Sequence, residues 1–238
     1  MRRTRPRETF GRAMAAKRIP RWFGWSGASR GPAGLPRRRP RSTRSSRAAA
    51  VLGGYAAVGG LSAGIAIALG FDPIACDGWL HTPALVSVLL SLGAGVCLGA
   101  ITIGATRALV RRARWARALH AALRPAVHGA GDGTLLALAI ASGTGEELLF
   151  RGLLVPTVGV LVSSLVFGVL HQIRGPGRWG WIAWATIMGL LFAVVFVATG
   201  SLVGPLVAHV AINQANMRFL RDNDPRPPHR SLGGLLNR

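Results

Sequence analysis

Acidic residues and cysteines are both scarce in this sequence. Its 238 residues include 8 Asp and Glu against 29 Lys and Arg, which gives a formal net charge of +21. Only three of the acids are glutamates, and two of these, Glu146 and Glu147, are adjacent. The two cysteines, Cys76 and Cys97, have no CxxC spacing, so neither a disulfide framework nor a zinc ribbon is expected.

After residue 47, charged residues of either sign are scarce through most of the chain. Hydrophobic residues make up 50% of the sequence and charged residues 16%, which is unusual for a soluble domain and typical of a polytopic membrane protein. Several nearly uncharged runs reach the ~20 residues that a helix needs to cross a membrane. We therefore expect an integral membrane protein of the all-α class, a transmembrane helical bundle with about six spans.

The positive charge is concentrated in residues 1–47. This segment holds 15 of the 29 Lys and Arg residues, is rich in Pro, Gly and Ser, and has no sustained apolar periodicity, so we expect a disordered Arg-rich tail. Its open interpretations are an orientation signal, a true translation start at Met14, a polybasic contact with anionic lipid, a transit peptide and an RNA-binding arm. Because the excess charge lies mostly in one tail, we expect membrane lipids as partners and no nucleic acid.

Residues 48–125 contain two expected spans followed by a basic amphipathic helix. The spans run from Ala48 to Phe71 and from about Ala84 to Val110, and the loop between them has no Lys or Arg. Arginines then alternate with large apolar residues, which predicts a helix on the inner headgroup region. These residues are Arg111, Arg112, Arg114 and Arg117, interleaved with Trp115, Leu119 and Leu123.

Four further spans are expected in residues 126–220, before a polar C-terminal tail at 221–238. The third span begins near Thr134 and ends at Pro156, and the others cover 157–172, 181–199 and 202–220. With the N-terminus inside, the strongly basic loops and the C-terminal tail fall on the inner side. An even number of spans then agrees with the positive-inside rule, and both termini are expected in the cytoplasm.

The two adjacent glutamates lie within the third span. An ionised carboxylate near the bilayer centre costs about 2.5–3.5 kcal/mol, so an intramembrane acid indicates a functional site. Glu147 and Arg151 are four residues apart on a helix and can pair, whereas Glu146 points elsewhere and remains available as a general base. The alternative is a purely structural salt bridge. Buried ion pairs contribute little stability, which favours the functional interpretation.

Two histidines and an asparagine follow in the later spans. His171 ends the fourth span, and His209 and Asn213 share one face of the sixth. Polar side chains inside lipid should meet in the bundle, here with the glutamates. Such a cluster suits hydrolysis, since a glutamate and a histidine can deprotonate a water while His and Asn stabilise an oxyanion. The residues around Ser142 do not form a nucleophile-elbow pattern. The sequence has no HExxH motif, so it gives no positive indication of a zinc site.

Three ordered motifs resemble those of the CPBP family of intramembrane proteases. This family includes the CAAX prenyl endopeptidases and bacterial proteins described as abortive-infection or bacteriocin-processing proteins. The resemblance covers about Leu136 to Met217. The motifs are EExxxR at Glu146, Glu147 and Arg151, FxxxH at Phe167 and His171, and HxxxN at His209 and Asn213.

The resemblance implies an all-helical membrane protease that cleaves peptide bonds near the lipid interface. The implied roles are water activation by Glu146 with His171, an oxyanion site at His209 and Asn213, and orientation of these groups by Glu147 and Arg151. Family members are commonly labelled metalloproteases, but the glutamic type is favoured here and no cofactor is expected. If zinc is present, its ligands would be Glu146, His171 and His209.

The expected substrate is a protein or peptide with a membrane-proximal C-terminal tail or a propeptide, and the expected location is the inner membrane of a bacterium. The oligomeric state stays open. One alternative is a non-enzymatic immunity or partner-binding membrane protein of the same fold. Another is a transporter or proton relay, which would call for broken helices in two related halves, and the sequence shows no such repeat.

A strict up-and-down arrangement of the spans would separate residues that this chemistry needs together. Glu146 and His209 would lie nearer the outer face and His171 nearer the inner face. We therefore expect either a broken or re-entrant helix around Pro156 and Gly159, or spans that are tilted and offset. Any such irregular backbone must be buried in protein, because lipid cannot satisfy its polar groups.

Overall fold

A computed structural model describes residues 41–224, with side chains from Ser46 onwards. Regular structure in this range is helical, apart from an isolated bridge between Ala75 and Ser201. Most of the expected disordered tail, residues 1–40, and most of the polar C-terminal tail, residues 225–238, lie outside the described residues.

Seven α-helices and one π-helical segment follow one another in the described part of the chain. They are α1 (Arg41–Ala68), α2 (Ala84–Arg112), α3 (Arg114–Val127), α4 (Asp132–Glu147), the π segment (Leu148–Leu154), α5 (Val155–Leu170), α6 (Arg178–Thr199) and α7 (Val203–Asp222).

The expected all-α membrane bundle is confirmed. Among the described residues, four helical stretches are long and apolar enough to cross a membrane, namely Ser46–Ala68, Ala84–Arg112, Asp132–Leu170 and Arg178–Thr199. The third stretch contains two of the expected spans. The more polar α7 corresponds to the sixth. The first helix begins at Arg41 rather than at Ala48, so it includes the end of the segment expected to be disordered.

The chain reverses direction within α5, at Gly159. In a straight helix Phe150 and Ser163 would lie about 20 Å apart. Instead the Ser163 hydroxyl donates a hydrogen bond to the Phe150 carbonyl at 2.9 Å, and the rings of Phe150 and Phe167 are 4.8 Å apart. Gly159 has φ 82° and ψ 167°, a conformation that is essentially restricted to glycine.

The expected end of the third span at Pro156 is therefore wrong, because the reversal occurs at Gly159. Pro156 closely follows the π segment within a continuous stretch of helical backbone, so the proline does not end the helix. The expectation of a broken helix in this region is correct. The break returns the chain so that the second part of α5 packs beside the π segment.

Small residues allow the helices to approach closely. A Cβ atom added at Gly145 on α4 would lie 2.7 Å from the carbonyl oxygen of Tyr55 on α1. Gly204 at the start of α7 contacts the backbone of Ser91 on α2, and its N–H donates to the Ser91 hydroxyl at 2.9 Å. Such contacts are typical of membrane helix packing. They fix α4 against α1, and α7 against α2.

The expected amphipathic helix is present as α3. Its apolar face is buried at Ala116 and Leu119, whereas Arg114 is exposed. The C-terminal end of α7 is tied to this helix, because the Asn223 carbonyl lies 2.9 Å from Nε2 of His120 and accepts a hydrogen bond from Arg124 at 3.1 Å. Helix α3 therefore packs across the end of α7.

Replacing Gly159 with alanine should lower the thermal unfolding midpoint in detergent. Although no atom lies within 4 Å of an added Cβ, an L residue at this φ and ψ is strained by about 1–3 kcal/mol. The matched control is Gly64→Ala in α1, where a Cβ also meets nothing within 4 Å but the backbone is helical. Equal midpoints for the two variants would contradict the reversal at Gly159.

Candidate active site

Glu147 is fully buried and pairs with two side chains through one carboxylate oxygen. Its Oε1 accepts a hydrogen bond from Nη1 of Arg151 at 3.0 Å and lies 2.6 Å from Nδ1 of His209. Arg151, which is also buried, donates from Nη2 to the Gly189 carbonyl at 2.9 Å. The predicted pairing of Glu147 with Arg151 is present, and His209 extends it from α4 and the π segment to α7.

Three phenylalanine rings surround the buried guanidinium of Arg151. Its Cζ atom lies 5.8, 5.0 and 5.1 Å from the ring centroids of Phe150, Phe167 and Phe192. Such cation–π contacts offset part of the hydration that the cation loses on burial. Phe192 also stacks on His209, with ring centroids 5.2 Å apart. The same aromatic residues therefore hold both the guanidinium and the imidazole in place.

Glu146 faces both histidines. Its Oε2 lies 3.6 Å from Nε2 of His171 and 3.6 Å from Nε2 of His209. This oxygen is buried and makes no direct hydrogen bond to the protein. Arg151 forms its ion pair with Glu147 and not with Glu146. The two adjacent glutamates therefore have different surroundings, as the helical spacing predicted.

The second ring nitrogen of each histidine contacts an oxygen. Nδ1 of His171 lies 2.7 Å from the Phe167 carbonyl, and Nδ1 of His209 lies 2.6 Å from Glu147. Since a carbonyl or carboxylate oxygen only accepts, we assign a proton to each Nδ1. Both rings are thereby oriented with Nε2 towards Glu146.

Asn213 lies one turn after His209 on α7. Its Nδ2 donates a hydrogen bond to the Ser142 hydroxyl at 3.0 Å, and Ser142 lies one turn before Glu146 on α4. Sequence reasoning considered Ser142 only as a nucleophile and missed this contact. The signal that could have found it is the four-residue spacing from Glu146, which places both side chains on one helix face.

The structure brings all six predicted site residues together. The reversal at Gly159 returns α5 beside the π segment, so the His171 side chain reaches the Glu146 carboxylate despite the expected difference in depth. The six residues are Glu146, Glu147, Arg151, His171, His209 and Asn213.

A cavity of about 430 Å³ opens onto this cluster. Its polar end is lined by Glu146, His171, His209 and Asn213. The remainder is mostly apolar and is lined by residues of α1, α2, α3, α4, α6 and α7. Its apolar lining includes Val51, Leu119, Leu123, Trp181, Trp184 and Met217.

Tyr55 is a cavity residue that sequence reasoning missed. It lies on α1, close enough to the Glu146 carboxylate to interact with it electrostatically. It is the single tyrosine of the chain and lies in an otherwise mainly small and apolar helix. A single tyrosine among small and apolar residues could have indicated a functional position, although no local sequence pattern links Tyr55 to α4.

Residues 133–215 match the family model of the type II CAAX prenyl endopeptidase Rce1-like proteins. The resemblance is confirmed. The matched segment extends from α4 into α7 and contains the EExxxR, FxxxH and HxxxN motifs. This Rce1-like core has the fold of a CAAX-type intramembrane protease, whereas α1, α2 and α3 lie outside the match.

The chain is also 35% identical over 68 residues to the uncharacterized protein YpbD of Bacillus subtilis (strain 168). The aligned part makes up 29% of this chain and 35% of YpbD, so the chain covers about a third of that relative's length. No solved structure matches the chain significantly.

Replacing Arg151 with alanine should destabilise the Rce1-like core strongly. The substitution leaves the Glu147 carboxylate buried without its cation, and loss of one partner of a buried pair costs about 3–5 kcal/mol. The double variant Glu147→Gln with Arg151→Met should recover part of the loss, because it removes both charges. The measurement is thermal unfolding in detergent.

Arg218→Ala provides the matched control, since Arg218 lies 3.2 Å from Asp132 in an ion pair whose side chains are half exposed. Exposed pairs add little to stability, so the unfolding midpoint should stay close to that of the wild type. Equal unfolding midpoints for Arg151→Ala and Arg218→Ala would contradict the burial of the Glu147 network.

Proposed function

We propose that this chain is an intramembrane endopeptidase in which Glu146 activates a water for attack on a peptide bond. The observation that carries the proposal is the position of the Glu146 carboxylate, 3.6 Å from Nε2 of both His171 and His209. These separations are longer than direct hydrogen bonds, so Oε2 is free to accept a hydrogen bond from a water. The match of residues 133–215 to a family of endopeptidases supports the reaction class.

In the first step, Glu146 takes a proton from a water that His171 helps to hold, and the water oxygen bonds to the peptide carbonyl carbon. The carbonyl oxygen becomes an oxyanion. It accepts hydrogen bonds from Asn213, whose amide has a second N–H besides the one given to Ser142, and from Nε2–H of His209 in its imidazolium form. The Glu147 carboxylate, 2.6 Å from Nδ1, accepts the other N–H of that imidazolium.

In the second step, the carbon–nitrogen bond of the tetrahedral intermediate breaks. Glu146 passes its proton to the leaving nitrogen and is again a carboxylate, so the proton balance closes over one turnover. Arg151 does not touch the substrate in this scheme. It holds Glu147 in the position that orients His209.

Zinc would be held by Glu146, His171 and His209 if the reaction requires it. A carboxylate and two imidazoles are ordinary zinc ligands, and the Nδ1 contacts of both histidines resemble those that support metal-bound imidazole. Within residues 41–224, however, no group of three such side chains has metal-site geometry as arranged. Bound zinc would polarise the water. We favour the metal-free mechanism because the side chains already supply a base and oxyanion donors.

The cavity favours a substrate with apolar residues beside the cleaved bond, because most of the side chains that line it are apolar. A membrane-proximal C-terminal tail or a propeptide has this character. We place the enzyme in the inner membrane of a bacterium with both termini in the cytoplasm, since this puts the arginines around α3 on the inner side.

Glu146→Gln and His209→Ala should each abolish cleavage of membrane-proximal tail peptides by the protein reconstituted in liposomes. Each variant removes a group that acts in the transition state, and loss of a general base alone costs roughly 10²–10⁴-fold in rate. Products are measured by mass spectrometry. The matched control is Asp132→Asn, which changes an exposed acid at the start of the same helix and should leave the rate unchanged.

Cleavage that survives both active-site substitutions would contradict the assigned chemistry. A wild-type protein that cleaves none of the peptides would favour a non-enzymatic immunity or partner-binding role. A strong chelator in the same assay should leave cleavage intact, whereas loss of activity that zinc restores would overturn the metal-free mechanism.

A further inference from the structure

We propose that Tyr55 is a positioning residue for the Glu146 carboxylate, supplied by a helix outside the Rce1-like core. Its effect on the reaction rests on the proposed function of Glu146, whereas the contact between the two side chains does not. The inference concerns α1, which the match to residues 133–215 does not include.

Tyr55 and Glu146 face the same cavity. Tyr55 is half-buried and lines the polar end together with Glu146, His171 and His209. Its phenol lies close enough to the Glu146 carboxylate for the two groups to interact electrostatically. The two imidazoles reach that carboxylate from α5 and α7, so α1 contributes a third polar group.

Two glycines set the distance between Tyr55 and the site. A Cβ at Gly145, the residue before Glu146, would lie 2.7 Å from the Tyr55 carbonyl oxygen and 3.4 Å from the Tyr55 Cβ. A Cβ at Gly59, one turn further along α1, would lie 3.1 Å from the Cα of Gly145. Larger residues would force α1 and α4 apart, so the glycine contact is what brings Tyr55 to the carboxylate.

A phenol suits this position chemically. Its O–H can donate a hydrogen bond to the ionised carboxylate, and the same oxygen can accept one when Glu146 carries the proton taken from water. Either contact limits rotation of the carboxylate and keeps Oε2 directed at the histidines. Tyr55 therefore acts through Glu146 and takes no proton itself.

The contact can be tested without any substrate, because Tyr55 is the single tyrosine of the chain. Labelling the full-length protein with tyrosine carrying ¹³C at Cζ gives one NMR resonance. Glu146→Gln should shift that resonance by removing the carboxylate, whereas Asp132→Asn, at the other end of α4, should not. An unchanged resonance in Glu146→Gln would overturn the proposal.

The catalytic consequence is measured in liposomes with Tyr55→Phe, which keeps the ring and removes the hydroxyl. The value of kcat should fall by about tenfold with KM nearly unchanged, the effect of one hydrogen bond to a charged group. Val58→Ala, an exposed position on α1 outside the cavity, should change neither value.

The two measurements separate the possible failures. If Glu146→Gln abolishes cleavage but Tyr55→Phe matches the wild type, the positioning role is wrong and the proposed function stands. If the wild type cleaves no peptide while the Tyr55 resonance responds to Glu146→Gln, the contact stands and the proposed function is wrong.

Discussion

The structure depends on how the charge of one fully buried carboxylate, that of Glu147, is stabilised by its neighbours. Glu147 lies in an apolar bundle, where an unpaired charge would be very costly, and a single oxygen of it contacts both Arg151 and His209. Arg151 also reaches the backbone of α6 at Gly189, so this network ties together α4, the π segment, α6 and α7. Because Arg151 pairs with Glu147, the carboxylate of the neighbouring Glu146 faces the two histidines and the cavity instead.

The second constraint is geometric. His171 reaches Glu146 because the chain reverses at Gly159 within α5, where only glycine adopts the required backbone conformation without strain. The site is thus assembled from α4, the π segment and the returning α5, together with α7, which follows later in the chain. Residues of α1 and α3 also line the mainly apolar cavity that opens onto the carboxylate.

Much of this could be predicted from the sequence, because the informative patterns are local. The spacing of Glu147 and Arg151, and of His209 and Asn213, fixes which side chains share a helix face. The region of the reversal was predicted, but its exact residue was not, since Pro156 and Gly159 both signal a break in the helix. The contact between Tyr55 and α4 depends on the packing of helices distant in sequence, and no local pattern encodes it.

The central claim is that Glu146 and the histidines hold the attacking water. It is tested most directly by an experimental density map of the protein with a non-cleavable tail peptide bound. We predict a water about 2.6–3.2 Å from Oε2 of Glu146 and from Nε2 of His171. A direct hydrogen bond between Glu146 and a histidine with no water between them, or an ion about 2.0–2.1 Å from both imidazole nitrogens, would contradict it.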